Sequence, residues 1–397
     1  MGVRHCRNVA DLRRMAQRRL PAPLFHFMDG GAEDESSLRR NSNAFDELRL
    51  LPRYLVDVSK VDLTTRFLGR AFAMPLMLSP TGLSRLFHPA GEPAVARAAA
   101  DAGLLYSLST MASVTVEEAG SASAGPKMFQ VYVFKDRGLT TELVERCKAA
   151  GYHALCLTVD TPMSGSRERD ALYGLTIPPR LTLQAWASFA LRPRWVIDHL
   201  LGPKVTLANV AHRVGDADGS GPGVADYANR QYDRSLTWDD ALWLRKQWDG
   251  PFVIKGLLAA DDARRALDVG ASAVMVSNHG GRQLDGAPAP LDCLKAMRDA
   301  VGDRLELILD GGVRRGTHVL KALAAGATAC SIGRGYLYGL AAGGEPGVRR
   351  ALALFEEELR RDMVLLGCRS IAEVGADRLV GDAPMRTLPA DGLIAAS

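Results

Sequence analysis

The segment VSNHGGRQLDG (276–286) contains two residues suited to acid–base chemistry on an anion. His279 can act as a base near neutral pH, and Arg282 offers a planar guanidinium that binds a carboxylate in a bidentate manner. Asp160 ends another apolar run and is a candidate partner for His279, since a carboxylate stabilises the imidazolium formed by proton abstraction. These residues predict proton abstraction from an anionic substrate.

Two further segments predict that anions bind nearby. Lys255 ends the apolar run PFVIKG (251–256), where a fixed positive charge would face a ligand and stabilise an anion formed during reaction. The segment LILDGGVRRGTHVLKALAAG (307–326) passes from a strand through glycines and arginines into a helix, and SIGRG (331–335) repeats the pattern. Backbone amides at a helix start and neighbouring guanidinium groups bind phosphate.

The elements that must position these residues alternate along the chain. Alanine-rich helical segments end in glycine, and nearly continuous apolar runs follow them, as in parallel strands that are covered on both faces. Eight such units predict a (β/α)8 TIM barrel in the α/β class, with polar residues at the carboxyl ends of its strands. An open doubly wound sheet is the alternative, but no GxGxxG motif follows an early strand. The predicted strands are 73–80, 104–110, 127–133, 153–160, 251–256, 273–280, 305–312 and 328–335.

The barrel is predicted over residues 71–340 of a single domain that spans 1–397, with a helical extension over 1–70 and C-terminal helices over 341–397. A long insertion follows strand 4, with a variable loop over 178–230. Its aromatic and basic segment 181–202 fits either a lid or an interfacial membrane anchor, and Asp198 and His199 weaken the anchor interpretation. The glycine-rich segment 212–223 that follows is predicted to be mobile.

Composition narrows the class of protein. The net charge of +4 over 397 residues gives no reason to expect a nucleic acid partner. The six cysteines form no CxxC pair, which predicts reduced thiols and no metal site. A basic N-terminus without an apolar core does not resemble a secretory signal, and no apolar run reaches 18 residues. We expect a cytoplasmic protein that is peripheral on the inner face of the membrane if 181–202 is an anchor.

Motifs along the whole chain resemble the FMN-dependent α-hydroxy-acid oxidase and dehydrogenase family, which includes glycolate oxidase, L-lactate dehydrogenase and mandelate dehydrogenase. The signature is SNHGGRQLDG, and only the region 180–230 lacks similarity to the family. The supporting segments occur in the family's order: GGAEDE (30–35), SPTG (79–82), FQVYV (129–133), LTVDTP (157–162), VIKG (253–256), LDGGVRRG (309–316), IGRG (332–335) and GCRS (367–370).

The resemblance implies roles in substrate binding and catalysis. His279 is the base, and Asp160 supports it. Arg282 and Arg167 bind the substrate carboxylate, and Tyr132 contacts the substrate hydroxyl or the developing oxyanion. The product is a 2-oxo acid, and the electrons pass to FMN. Family members are commonly tetramers, so the resemblance also implies a homo-oligomer.

The resemblance implies how FMN is held. The backbone of Pro80, Thr81 and Gly82 lies beside the reactive ring nitrogen, and Lys255 neutralises the reduced flavin. The remaining residues bind the ring (Ser109, Gln130, Thr158), lie beside the ring and the ribityl chain (Ser277), hold the ribityl chain (Asp310), and hold the phosphate (Gly312, Arg314, Gly333, Arg334).

One position departs from the family pattern. Phe27 stands where the family has a tyrosine that donates to the substrate carboxylate, and the loss of that hydroxyl costs about 1 kcal/mol of substrate binding. Met111 occupies a position where some members carry a large aromatic residue. Both differences suggest a bulkier or more apolar hydroxy acid than the smallest ones.

The sequence is compatible with several functions. The leading one is oxidation of a lactate- or mandelate-like L-2-hydroxy acid, with a quinone or another acceptor taking the electrons; Gly82 and the insertion favour it. Alternatives are an oxygen-using oxidase and oxidation of a peptide or specialised-metabolite precursor. A flavin-binding scaffold without turnover is disfavoured, because His279, Arg282 and Lys255 are all present.

Overall fold

A computed structural model describes residues 2–174, 181–213 and 230–380. Eight parallel strands close into a barrel in sequence order, so the predicted TIM barrel is confirmed. All eight predicted runs form strands, with ends that differ by at most a few residues. The strands are β1 (Leu76–Thr81), β2 (Leu105–Ser109), β3 (Lys127–Val131), β4 (Ala154–Thr158), β5 (Phe252–Leu257), β6 (Ala273–Ser277), β7 (Glu306–Asp310) and β8 (Ala329–Ile332).

Helices surround the barrel and precede it. Most strands are followed by a helix that covers the sheet, as expected for right-handed crossovers. Within the described residues the α-helices are α1 (Val9–Arg19), α2 (Ala22–Asp29), α3 (Ser36–Glu47), α4 (Gly91–Asp101), α5 (Val116–Ser121), α6 (Arg137–Ala149), α7 (Glu168–Leu172), α8 (Leu183–Ala190), α9 (Pro193–Leu200), α10 (Trp238–Arg245), α11 (Ala260–Asp268), α12 (Pro290–Val301), α13 (Gly316–Ala324) and α14 (Arg334–Leu366).

The amino-terminal end of the barrel is closed by a hairpin that the sequence did not predict. Strands Thr65–Phe67 and Arg70–Phe72 pair in antiparallel fashion, and the rings of Phe67 and Phe72 stack with centroids 4.2 Å apart. Both rings belong to the apolar cluster inside the barrel. The expectation that residues 1–70 are helical is therefore wrong at its end, because the barrel interior needs an apolar plug.

The carboxyl-terminal end of the barrel is left for the site, and the preceding helices frame it. Asp29 at the end of α2 accepts two hydrogen bonds from Arg13 of α1, at 2.6 and 2.7 Å, and one from Tyr338 of α14 at 2.7 Å. Burial raises the pKa of Asp29, but these donors outweigh burial and hold the pKa at about 2. The charged carboxylate therefore ties three helices together beside the barrel mouth.

The insertion after β4 contains α7, α8 and α9. Helices α8 and α9 contact residues that precede or follow the first barrel strand. Ser188 accepts a hydrogen bond from the Ala22 amide at 2.8 Å, and Trp195 donates to the Leu86 carbonyl at 3.0 Å. Asp198 forms an ion pair with Arg19 at 2.7 Å. Most of the segment predicted to be mobile, 214–223, lies outside the described residues. Among the described residues, no helix combines the length and apolar character needed to cross a membrane.

Candidate active site

One cavity of about 560 Å³ lies where the carboxyl ends of the barrel strands meet. Nearly all predicted site residues line it: Phe27, Pro80, Thr81, Gly82, Ser109, Met111, Gln130, Tyr132, Thr158, Arg167, Lys255, His279, Arg282, Asp310, Gly312, Arg314, Gly333 and Arg334. Two predicted residues, Asp160 and Ser277, are not on the wall and contact His279 from behind it. The predicted set is thus brought together by elements that are distant in sequence.

His279 begins a short left-handed stretch of backbone directly after β6. Its φ is +57°, and Gly280 and Gly281 follow with φ of +65° and +72°. A non-glycine residue in this region costs on the order of 1 kcal/mol, so the surrounding contacts must hold it. The amide of His279 donates to Ser277 at 3.0 Å, and its Nδ1 donates to Asp160 Oδ1 at 2.9 Å. The ring is therefore oriented with Nε2 left for the cavity.

The protonation of His279 suits a base. Burial lowers its pKa below the ordinary value, Asp160 opposes that effect, and Lys255 adds to it. Burial would raise the pKa of Asp160, but His279 and Lys255 leave it lowered. At neutral pH the site therefore combines a neutral imidazole with an ionised carboxylate, which stabilises the imidazolium once a proton is taken.

The hinge that carries His279 rests on helix α3, which sequence reasoning did not connect to the site. Asn41 and Asn278 exchange two side-chain hydrogen bonds of 2.8 and 2.7 Å in a buried position. A Cβ at Gly281 would lie 2.6 Å from the Leu38 amide nitrogen. The absence of side chains at Gly280 and Gly281 therefore leaves room for the Arg334 side chain and for α3.

Lys255 is buried in a network of carboxylates and hydroxyls. Its Nζ donates to Ser277 at 3.2 Å and lies 3.5 Å from Asp310 and 3.9 Å from Asp160. Ser277 donates to Asp310 at 2.8 Å. Burial would lower the lysine pKa, but Asp160 and Asp310 outweigh burial and raise it. A permanent positive charge consequently faces the cavity.

The cavity wall carries buried polar atoms that have no hydrogen-bond partner in the protein. Gln130 Nε2, Thr158 Oγ1 and Ser331 Oγ are buried without a hydrogen-bond partner, although all three residues line the cavity. Ser109 donates to Gln130 Oε1 at 2.8 Å, so this glutamine keeps its amide hydrogens for a ligand. Buried donors of this kind are rarely left unpaired, and they fit the polar edge of a flavin ring.

The predicted phosphate end is only partly as expected. Arg314 and Arg334 line the cavity, but Arg334 donates to the carbonyls of Gly280 at 2.9 Å and Gly30 at 2.6 Å. The amide of Gly316 at the start of α13 donates to Glu358 at 2.7 Å. Because a buried carboxylate already caps the start of this helix, that amide is not available to a phosphate. The groups that remain to bind a phosphate are the two arginines and the glycine loop.

The substrate end contains two guanidinium groups around one aromatic ring. The Cζ atoms of Arg167 and Arg282 lie 5.2 and 5.4 Å from the centre of the Phe27 ring. Asp170 orients Arg167 through a bond of 2.8 Å, and Arg282 donates to the Phe27 carbonyl at 2.8 Å. Burial lowers the pKa of Arg282, as do the neighbouring guanidinium groups. An anionic ligand would relieve this repulsion.

Tyr232 also lines the cavity, and sequence reasoning missed it. Its ring contacts Tyr132 edge-on, with centroids 5.3 Å apart. A single tyrosine near the end of the insertion, after the variable loop 178–230, offers no signal in the sequence, because only the tertiary structure brings it beside Tyr132. Asn41 was missed for the same reason.

Comparison with known proteins agrees with this geometry. A family model described as FMN-dependent dehydrogenase matches residues 16–381. L-lactate dehydrogenase of Pseudomonas aeruginosa is 44% identical over 378 residues, which cover 93% of this chain and 97% of that protein. Glycolate oxidase 3 of Oryza sativa subsp. indica is 40% identical over 376 residues, covering 94% and 96%. A crystal structure of the monotopic membrane protein (S)-mandelate dehydrogenase superposes with a TM-score of 0.91 at 38% identity, covering 95% and 100%.

Proposed function

The chain belongs to the FMN-dependent dehydrogenase family and oxidises an L-2-hydroxy acid with FMN, and we propose on this basis which residues carry out the reaction. His279 takes a proton from the substrate, and Asp160 stabilises the imidazolium. Arg167 and Arg282 bind the carboxylate, while Tyr132 contacts the substrate oxygen. The observation that carries this proposal is the His279–Asp160 pair, 2.9 Å apart, in the same cavity as both arginines.

The residues toward the cofactor have separate roles in this proposal. FMN would supply the chemistry of a two-electron acceptor when bound. Gln130 and Thr158 bind the polar edge of the ring, and Lys255 holds a positive charge there. Asp310 fixes Lys255, while Arg314 and Arg334 lie at the phosphate end. The substrate loses two protons and two electrons and leaves as the 2-oxo acid.

We further propose that the substrate carries an apolar side chain larger than the methyl group of lactate. Besides the two arginines beside Phe27, the cavity lining includes a group of apolar residues: Leu24, Leu83, Leu86 and Phe87. Phe27 and Phe87 stack with centroids 6.3 Å apart. Burial of an apolar side chain here contributes about 25 cal/mol for each Å² removed from water. Mandelate-like acids fit this wall better than lactate.

The test is an anaerobic titration of the purified yellow protein, followed by its flavin absorption. L-mandelate and longer 2-hydroxy acids are expected to bleach the flavin at lower concentration than L-lactate does. His279→Gln should keep FMN bound and lose bleaching, because the base is absent. Normal bleaching in that variant would refute the assignment of the base. A yellow wild-type protein that none of these acids bleaches would refute this proposal and would point to an unusual substrate.

The electron acceptor is proposed to be a membrane quinone, reached by peripheral docking. The outer side of α8 and α9 exposes large apolar residues that form the α8–α9 face: Leu183 (88% exposed), Trp186 (60%), Leu191 (71%), Leu200 (79%) and Leu201 (85%). Several large apolar side chains exposed within two neighbouring helices are typical of an interaction surface, and Trp and Leu suit the membrane interface. The similar structure described as a monotopic membrane protein supports a lipid partner.

We therefore interpret segment 181–202 as a membrane anchor and not as a lid that covers the cavity. No residue of 181–202 lines the cavity among those described, whereas Leu86 and Phe87 beneath it do. Vesicles of phosphatidylglycerol should sediment the wild-type protein, and Leu200→Glu should weaken that binding while flavin bleaching stays unchanged. Leu365→Glu is the matched control, since Leu365 is 63% exposed on α14. Equal sedimentation of both variants would contradict docking through the α8–α9 face.

A further inference from the structure

We propose that Tyr232 is a further substrate-binding residue, whose phenol donates a hydrogen bond to the substrate carboxylate beside Arg167. This inference rests on the proposed function, since it concerns the same cavity and the same anionic group. Tyr232 lines the cavity together with Tyr132, Arg167 and His279, and it reaches this place from the far side of the insertion.

The backbone around Tyr232 is fixed to the barrel. Tyr232 forms an antiparallel bridge with Phe134, just beyond the end of β3. The Lys135 amide donates to the Gln231 carbonyl at 2.9 Å, and the Asp136 amide donates to the Gln231 side chain at 3.1 Å. The ring packs against Tyr132 at an interplanar angle of 89°. A side chain held from both directions can present its hydroxyl reproducibly to a ligand.

The electrostatic surroundings keep the phenol protonated. Burial raises the pKa of Tyr232 to about 12, with Arg167 lowering it and Asp160 raising it. The hydroxyl is therefore a donor at neutral pH, and it lies near enough to Arg167 and Asp160 for their charges to affect its pKa. A substrate carboxylate bound to Arg167 can accept a hydrogen bond from the guanidinium of Arg167 and another from the hydroxyl of Tyr232.

Phe27 explains why such a donor matters. Its ring lies over both guanidinium groups and offers no hydrogen bond. Among the described residues that line the cavity, Tyr132 and Tyr232 are the tyrosines. If Tyr132 contacts the reacting oxygen, Tyr232 is the phenol left for the carboxylate. A hydroxyl added to Phe27 would lie beside the same guanidinium groups and could replace that of Tyr232.

The experiment compares Tyr232→Phe with wild type, using L-mandelate as substrate and phenylacetate as a carboxylate without the 2-hydroxyl. Loss of a hydrogen bond to a charged group should raise the KM for L-mandelate and the Kd for phenylacetate about tenfold or more. The kcat should change about twofold at most, since the base is intact. Tyr152→Phe is the matched control, because Tyr152 is buried outside the cavity and donates to the Val116 carbonyl.

Rescue separates a substrate contact from a packing role. Phe27→Tyr should restore most of the affinity in the Tyr232→Phe background and add little in wild type. Unchanged KM and Kd in Tyr232→Phe would overturn the proposal while leaving the proposed function intact. A raised KM with an unchanged phenylacetate Kd would overturn the carboxylate contact, and so would loss of FMN from the variant. Failure of every hydroxy acid to bleach wild type would instead refute the proposed function.

Discussion

At His279 the polypeptide accepts an unfavourable backbone conformation in order to direct one imidazole nitrogen into the cavity. The positive φ is compensated by hydrogen bonds from the amide to Ser277 and from Nδ1 to Asp160. Asp160 itself stays outside the cavity wall, so it acts on the ring and not on the substrate. The pair should therefore control both the rate of proton transfer and its pH dependence.

Replacing Asp160 with Asn should change both quantities in a defined direction. The base works only when neutral, so kcat/KM should rise with pH through an apparent pKa below the usual histidine value of about 6.5 and then level off. Asp160 raises the pKa of His279, so its removal should shift the rising limb to lower pH. The plateau should fall about 100-fold or more, because the imidazolium loses its partner.

Stopped-flow measurement of the rate of flavin reduction between about pH 4 and about pH 9 would give this profile. The interval extends roughly two units or more to each side of the usual histidine pKa. Asp261→Asn is the control, since that carboxylate is 83% exposed on α11 and should leave the curve unchanged. A limb that moved to higher pH in Asp160→Asn would contradict the arrangement. An unaltered plateau would mean that Asp160 does not stabilise the imidazolium.

The candidate site residues could be predicted from the sequence because their residue types and their positions after apolar runs are informative. His279, Arg282, Lys255 and Asp160 each follow an apolar run, and parallel strands bring such ends together. Tyr232 and Asn41 could not be reached in this way. An isolated tyrosine or asparagine has many structural uses, and only the tertiary structure places these two at the cavity and at the hinge.

Helix α3 acts as a support for the catalytic loop, although it precedes the barrel in sequence. Replacing Gly281 with Ala should disturb this contact, because the new Cβ would lie 2.6 Å from the Leu38 amide nitrogen and 2.7 Å from its Cα. The backbone of α3 cannot yield as a side chain could. We expect a loss of stability of about 2 kcal/mol or more and a large loss of flavin reduction.

Gly286 offers a matched control in the same loop. Its φ is +81°, and an added Cβ would have no atom within 4 Å. Gly286→Ala should therefore show only the conformational cost, about 1 kcal/mol. Thermal unfolding and anaerobic bleaching of both variants would measure the difference. Equal effects would mean that the approach of α3 contributes nothing beyond the positive φ.

The elements were predictable to different degrees for physical reasons. Barrel strands are nearly continuous apolar runs that follow helical segments ending in glycine, and this pattern is local. The hairpin over 65–72 is short and is stabilised by burial of Phe67 and Phe72 inside the barrel, so its stability depends on residues far away in sequence. The capping of α13 by Glu358 of α14 likewise joins segments that no local pattern connects.

The net charge of the whole molecule is only +4, but positively charged side chains are concentrated around one cavity. Arg167, Arg282, Arg314, Arg334 and Lys255 all line it. Burial and mutual repulsion lower the pKa of Arg282, and burial lowers that of Arg334. The folded state therefore contains an electrostatic cost that a bound anion relieves, which couples ligand binding to stability.

Removing FMN should consequently lower the Tm, and adding it back should raise the Tm with concentration. A ligand at 100 times its Kd stabilises the folded state by about 2.7 kcal/mol. Riboflavin, which lacks the phosphate, should stabilise less than FMN at the same concentration, and inorganic phosphate should stabilise partially. Differential scanning fluorimetry of the stripped protein would measure all three. If riboflavin matched FMN, Arg314 and Arg334 would contribute no phosphate binding, and the positive charge would serve the substrate carboxylate alone.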